Sequence, residues 1–183
     1  TNSDILGFAN TGGFGIDGCV SSLLGASLAD KNKLYFGIIG DLAFFYDMNA
    51  IGNRHVQSNL RIMLINNGIG TEFRLYGHLA NTFGDKANDF MAASGHNGYK
   101  SRFLVKHLAE DLNFMYLSAS NKEEFLNNIE RFICPGITDK PILFEVFINS
   151  EDESEAVRLI YNAETSLKDI TVKSAKNAVR SVL

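Results

Sequence analysis

Apolar positions along the chain fall into short continuous runs and longer periodic ones. Residues 34–39 and 60–65 are short and rich in β-branched or aromatic side chains, the pattern of buried strands. The first run closes on Gly40-Asp41 and the second on Asn66-Asn67-Gly68, both turn-forming groups. Between them, residues 43–56 have the length and apolar spacing of a helix. A strand–helix–strand unit closes as a right-handed parallel pair, and ligands of such sheets bind beyond the carboxyl ends of the strands. Asp41 and Asn67 are therefore expected side by side at one edge of one pocket.

The same alternation runs through the rest of the chain. Residues 19–31 have helical length and follow a glycine-rich stretch. Residues 101–112 read as an amphipathic helix, 114–117 as a short strand, and 121–132 as a helix with Asn121 as its N-cap. Residues 141–148 read as a buried strand, with Pro141 at its first position, where it breaks no ladder bond. From Glu151 the chain is acidic, and then helical, with an imperfect apolar face over 168–180. This predicts an α/β fold, three layers α/β/α around a mainly parallel sheet, with at least four strands and five or six helices.

Composition narrows the function classes. A length of 183 residues suits one domain with a substantial core. The whole of 1–183 reads as that domain, with 151–183 as its tail; a start at Thr1 reads as a domain cut from a longer enzyme. A net charge of −4 gives no electrostatic reason to expect nucleic acid or an anionic membrane. Cys19 and Cys134 lack metal-type spacing, and a reduced, cytoplasmic setting is expected. No apolar run reaches membrane-spanning length.

The chemistry lies at the two turns. A carboxylate, an amide oxygen and a nearby backbone carbonyl form a hard oxygen set, suited to Mg²⁺ or Ca²⁺ rather than zinc. Mg²⁺ completes its shell with water and substrate phosphates, so a phosphorylated ligand is expected. Gly40-Asp41-Leu42, followed some two dozen residues later by Asn66-Asn67-Gly68, resembles the signature of thiamine-diphosphate (ThDP) dependent enzymes. The resemblance implies that Asp41, Asn67 and the carbonyl of Ile69 hold the metal, and the metal holds the diphosphate. Leu42 stands where most of that family has glycine, but the SEPHCHC synthases of the menaquinone pathway also carry Gly-Asp-Leu.

Residues 10–18, Asn-Thr-Gly-Gly-Phe-Gly-Ile-Asp-Gly, form a glycine-rich loop ahead of a helix. Such loops permit positive φ and close approach of backbone to a ligand. This one resembles the loop that grips the aminopyrimidine ring in ThDP enzymes. The resemblance places Ile16 as the apolar wedge that bends the cofactor, and the carbonyl of Phe14 as acceptor for its amine. Read without it, Ile16 is a core residue at a helix start. Gly15, Gly40, Leu42 and Ala43 complete the cofactor contacts so implied. The tetrad Gly15-Ile16-Asp17-Gly18 is close to that of the SEPHCHC synthases, yet Thr11 stands where they have an arginine serving acidic substrates. That departure argues against the same reaction here. Glu72, Arg74, His78 and His96 are candidates for substrate contact or for a solvated surface.

The resemblance covers roughly residues 8–150. It implies the C-terminal ThDP- and Mg²⁺-binding domain of a lyase or transferase of the acetohydroxyacid-synthase (acetolactate-synthase) or SEPHCHC-synthase type, acting as decarboxylase and synthase on a small 2-oxo acid. The glutamate that activates the aminopyrimidine belongs to a separate pyrimidine-binding domain in that family, so this chain is expected to be inactive alone. Expected partners are that domain or subunit, the 2-oxo acid and further copies of the chain. Other readings are a free-standing subunit of a split decarboxylase, a non-catalytic module that keeps the fold, and, last, a nucleotide-binding α/β domain.

Overall fold

Among the described residues the apolar runs become four strands: β1 (Tyr35–Gly40), β2 (Leu60–Asn66), β3 (Met115–Ala119) and β4 (Ile142–Phe147). The computed structural model describes residues 5–11, 15–90 and 101–163. The strands form one sheet in the order β1-β2-β4-β3, with every neighbouring pair parallel. Register runs from Tyr35 opposite Leu60 to Gly40 opposite Ile65, and from Arg61 opposite Ile142 to Asn66 opposite Phe147. All four carboxyl ends therefore lie along one edge.

Side chains alternate between the two faces of the sheet. Leu60, Ile62 and Leu64 of β2 join Ile39 and Leu143 in one apolar cluster. It is covered by Val20 of α1 (Cys19–Ser27), Phe44 of α2 (Asp41–Asp47), and Val105 and Ala109 of α3 (Leu104–Asp111). Met63, Leu117, Ile142 and Phe144 form the other cluster, against Phe125, Ile129 and Phe132 of α4 (Lys122–Ile133). The expected parallel sheet covered on both faces is thus the observed one. The β1 edge is barer on its second face, where Ile38 is exposed. Among the described residues no helix is long and apolar enough to cross a membrane.

Several boundaries differ from expectation, each for a local reason. The helix expected over 43–56 starts earlier, at Asp41, and ends at Asp47; a 3-10 turn, Met48–Gly52, follows. Asn49, Gly52 and Asn53 favour turns over helix, and Asn53 Oδ1 accepts the His55 N–H at 2.9 Å. Helix α1 stops at Ser27, short of residue 31, where the buried Asn59 amide donates to the Ser27 carbonyl at 3.0 Å. The acidic tail segment is itself helical: α5 (Ser150–Ala163) carries Glu151, Asp152 and Glu153 in its first turn, where the helix dipole favours negative charge. The apolar face read over 168–180 lies outside the described residues. Asn121 is the N-cap, as expected: its Oδ1 accepts the Glu124 N–H at 2.9 Å.

Arg61 is the unexpected core residue. It is fully buried at the start of β2, at the edge opposite the Asp41 turn. Its guanidinium donates to the carbonyls of Phe132, Cys134 and Gly136, which line the carboxyl end of α4 and the chain just past it. The Phe36 ring centroid lies 5.5 Å from it. A buried cation thus substitutes for the amides that a helix end lacks.

Candidate functional site

At the carboxyl edge, β1 runs straight into Asp41, the first residue of α2. Asp41 is only 1% exposed. One carboxylate oxygen accepts the Leu42 N–H at 2.7 Å, and the other accepts the Gly68 N–H at 2.6 Å. The second bond ties the end of β1 to the loop after β2. That loop bends back on itself: Gly68 and Gly70 have φ of 82° and 63°, which favours glycine at both positions. Inside the bend, Asn67 Oδ1 accepts the N–H groups of Ile69 and Gly70 at 3.1 and 2.9 Å.

The amide of Asn67 is oriented from its other end. Its Nδ2 donates to Glu153 of α5 at 3.0 Å, so the amide oxygen faces the loop. The Asp41 and Asn67 turns therefore lie at one sheet edge, and Gly40, Leu42 and Ile69 come with them as their chain neighbours. Ala43 follows in the first turn of α2 and is buried. The buried carboxylate and the oriented amide oxygen are hard donors, the chemistry an Mg²⁺ ion requires. At the end of the same loop Thr71 is 2% exposed, and its hydroxyl has no hydrogen-bond partner among the described residues. A buried hydroxyl without a partner at the end of this loop fits a site built for a polar ligand.

The glycine-rich loop enters α1 through Gly15 and Gly18, with φ of 77° and 72°. A side chain at Gly15 would also come within 3.1 Å of the Asn10 carbonyl. Asn10 knits the loop together, donating to the Asp17 carbonyl at 2.8 Å and to Cys19 Sγ at 3.1 Å. Ile16 is half-buried and belongs to neither apolar cluster, so the reading of it as a core residue gains no support. Helix α1 is fixed to α2 by Asp47, which accepts the N–H and the hydroxyl of Ser21. Phe14 lies outside the described residues, as does His96.

Of the substrate-contact candidates, Glu72 and His78 line a cavity of about 490 Å³ with Tyr76, Val157 and Tyr161, between the loop after Gly70 and α5. Arg74 instead pairs with Asp85 at 2.9 Å.

Sequence reading missed a buried polar group directly behind the site. Asn66 Oδ1 shares the Gly68 N–H with Asp41, at 3.0 Å. Asn66 Nδ2 donates to Glu145 of β4 at 2.6 Å, and the Tyr116 hydroxyl of β3 donates to the other Glu145 oxygen at 2.7 Å. Glu145 is 1% exposed. Burial raises its carboxyl above the usual carboxylate range, while the bonds from Tyr116 and Asn66 pull it back in part. Burial, with the bond to Glu145, also pushes the Tyr116 phenol up. Nothing in the sequence linked this trio: Glu145 and Tyr116 each sit singly in an apolar strand, and Asn66 reads only as the start of the Asn-Asn-Gly turn.

The raised Glu145 carboxyl has a consequence for stability. The folded chain binds a proton there at pH values where the unfolded chain has already released it. Stability should therefore fall as pH climbs from the ordinary carboxyl value through the raised one. Urea midpoints measured across that window should decline for the native chain and decline less for E145Q; equal slopes would rule out Glu145 as their source.

No protein-family model matches the chain. It is 34% identical over 155 residues to the 2-succinyl-5-enolpyruvyl-6-hydroxy-3-cyclohexene-1-carboxylate synthase of Bacteroides fragilis, an alignment covering 84% of this chain and 26% of that protein. The synthase of the same name from Bacteroides thetaiotaomicron gives the same identity and coverage. That of Flavobacterium psychrophilum is 35% identical over 147 residues, covering 80% of this chain and 24% of its own length. The chain spans about a quarter of the length of the curated relatives it matches.

Proposed function

We propose, from the premise that this chain is a relative of the ThDP-dependent SEPHCHC synthases, that it is the diphosphate-binding domain of an enzyme that decarboxylates a 2-oxo acid and transfers the resulting unit. The observation that carries this reading is the bond from Gly68 to Asp41, which joins the Gly-Asp and Asn-Asn-Gly turns at one sheet edge. Two motifs of one family signature, far apart in sequence, meet at one sheet edge.

Asp41, Asn67 and the Ile69 carbonyl would hold Mg²⁺, and the ion would hold the cofactor's diphosphate. Bound ThDP supplies carbanion stabilisation, the step that 2-oxo acid decarboxylation lacks in water. The protein's part is placement. Asp41 brings negative charge without mobility, because both its oxygens are anchored to backbone N–H groups. Asn67 is pinned between its own loop and Glu153. The carbonyl of Phe14 and the side chain of Ile16 would receive the aminopyrimidine end and bend the cofactor. The activating glutamate would come from a pyrimidine-binding domain or subunit, so the chain alone should turn over no 2-oxo acid. Thr11, in place of the family arginine, points to a substrate less acidic than that of the named relatives.

Calorimetric titration of ThDP tests this, with and without Mg²⁺, on the chain joined to its pyrimidine-binding half. Binding that needs Mg²⁺ and disappears with chelator is the expected result. Metal-independent binding, or none, would refute the reading. The cytoplasm is the compartment we assign, because both cysteines, Cys19 and Cys134, are free thiols.

A further inference from the structure

Glu145 is costly where it stands. It occupies β4 opposite Leu64 of β2 and Ser118 of β3, in the middle of the sheet. An apolar residue there would avoid the penalty of burying a carboxylate. Its two oxygens are both committed, one to Asn66 and one to Tyr116. The amide of Asn66 has only one way round that satisfies both ends: Nδ2 toward Glu145, and Oδ1 toward the Gly68 N–H. That same N–H also reaches Asp41. The bonds run Tyr116 to Glu145 to Asn66 to Gly68 to Asp41 without a gap.

We propose that Glu145 is a positioning residue for the cofactor loop: through Asn66 it fixes where Gly68 stands, and so where Asn67 and the Ile69 carbonyl are presented beside Asp41. This rests on the metal-binding reading of the loop. Glu145 touches neither metal nor cofactor. Tyr116 is its orienting partner, fixing the carboxylate from the β3 side. The arrangement explains why a carboxylate is kept at the centre of an otherwise apolar strand.

The test reads the loop and the metal separately. Amide hydrogen exchange at Gly68 is measured in the chain without ligand, for the native protein, E145L, E145Q and Y116F. Mg²⁺ affinity is measured at saturating ThDP in the protein joined to its pyrimidine-binding half. E145L should exchange Gly68 at least about tenfold faster and bind Mg²⁺ about 10–100-fold more weakly, the usual cost of losing an outer-shell partner. E145Q, which keeps the shape and one acceptor, should restore most of the protection. Y116F should fall between, and it decides the matter should E145L fail to fold. Gly68 exchange within twofold of native in E145L, or in Y116F when E145L does not fold, overturns the inference. So does faster exchange with unchanged Mg²⁺ affinity. Native protein that binds no Mg²⁺–ThDP overturns the proposed function instead, and the exchange rates alone then decide whether Glu145 holds the loop.

Discussion

Replacing Arg61 by alanine should lower unfolding free energy by about 3–5 kcal/mol, the scale for breaking a buried charged network. The guanidinium serves three carbonyls at and beyond the end of α4, those of Phe132, Cys134 and Gly136. Phe132 is buried, so solvent does not stand ready to replace the lost donor there. Removing the guanidinium strips these acceptors of their partner and leaves a void beneath Phe36. R61M should recover the volume without the donors and remain well below native stability. R61K should recover less than its charge suggests, because an ammonium lacks the planar fork that meets several carbonyls at once. Urea unfolding with an unchanged m-value is the measurement. A midpoint close to native for R61A would mean that the α4 end satisfies itself.

The second large effect is on the ligand. Asp41→Ala should weaken Mg²⁺-dependent ThDP binding by more than the roughly 10–100-fold typical of an outer-shell loss, because it removes the only charged member of the proposed donor set. It also unties Gly68 and Leu42, so a loss in this variant mixes two causes. Asp41→Asn separates them. Its amide oxygen can still accept one backbone N–H, which keeps the turn, but the charge is gone. Near-native stability with binding lost is the expected signature of a metal ligand. Binding retained in D41N would remove Asp41 from the metal site and leave it a structural cap.

The strands were legible because they are predominantly apolar runs, and a parallel sheet demands such runs from strands buried on both faces. Asp41 and Asn67 were legible for a different reason: each closes such a run, and in a parallel sheet the closing residues share an edge. Glu145 and Tyr116 carried no such signal, and Asn66 carried it only as part of the turn, not as their partner. Their meaning lies in pairing across strands, and sequence spacing does not reveal which strand neighbours which. The same holds for Arg61, whose acceptors follow it by seventy residues or more. The break after Asp47 was present in the sequence as Asn49, Gly52 and Asn53, but the apolar spacing across it outweighed them. Helix α5 was misplaced because its acidic start reads as solvated chain, when negative charge is what a helix N-terminus favours.

The strand order sets a timetable for folding. β1 and β2 are close in sequence and joined by α2, so their pairing costs little loop-closure entropy. The last strand among the described residues, β4, inserts between β2 and β3, and its bond from Asn66 to Glu145 spans 79 residues. Contacts of such separation form slowly, since the chain's freedom must be given up before they repay it. During synthesis the Gly-Asp and Asn-Asn-Gly turns leave the ribosome long before β4 does. The two turns can therefore meet early, but the buried bonds that fix the loop close only at the end. On the proposed reading, the ability to hold a cofactor would report that β4 has taken its place in the sheet.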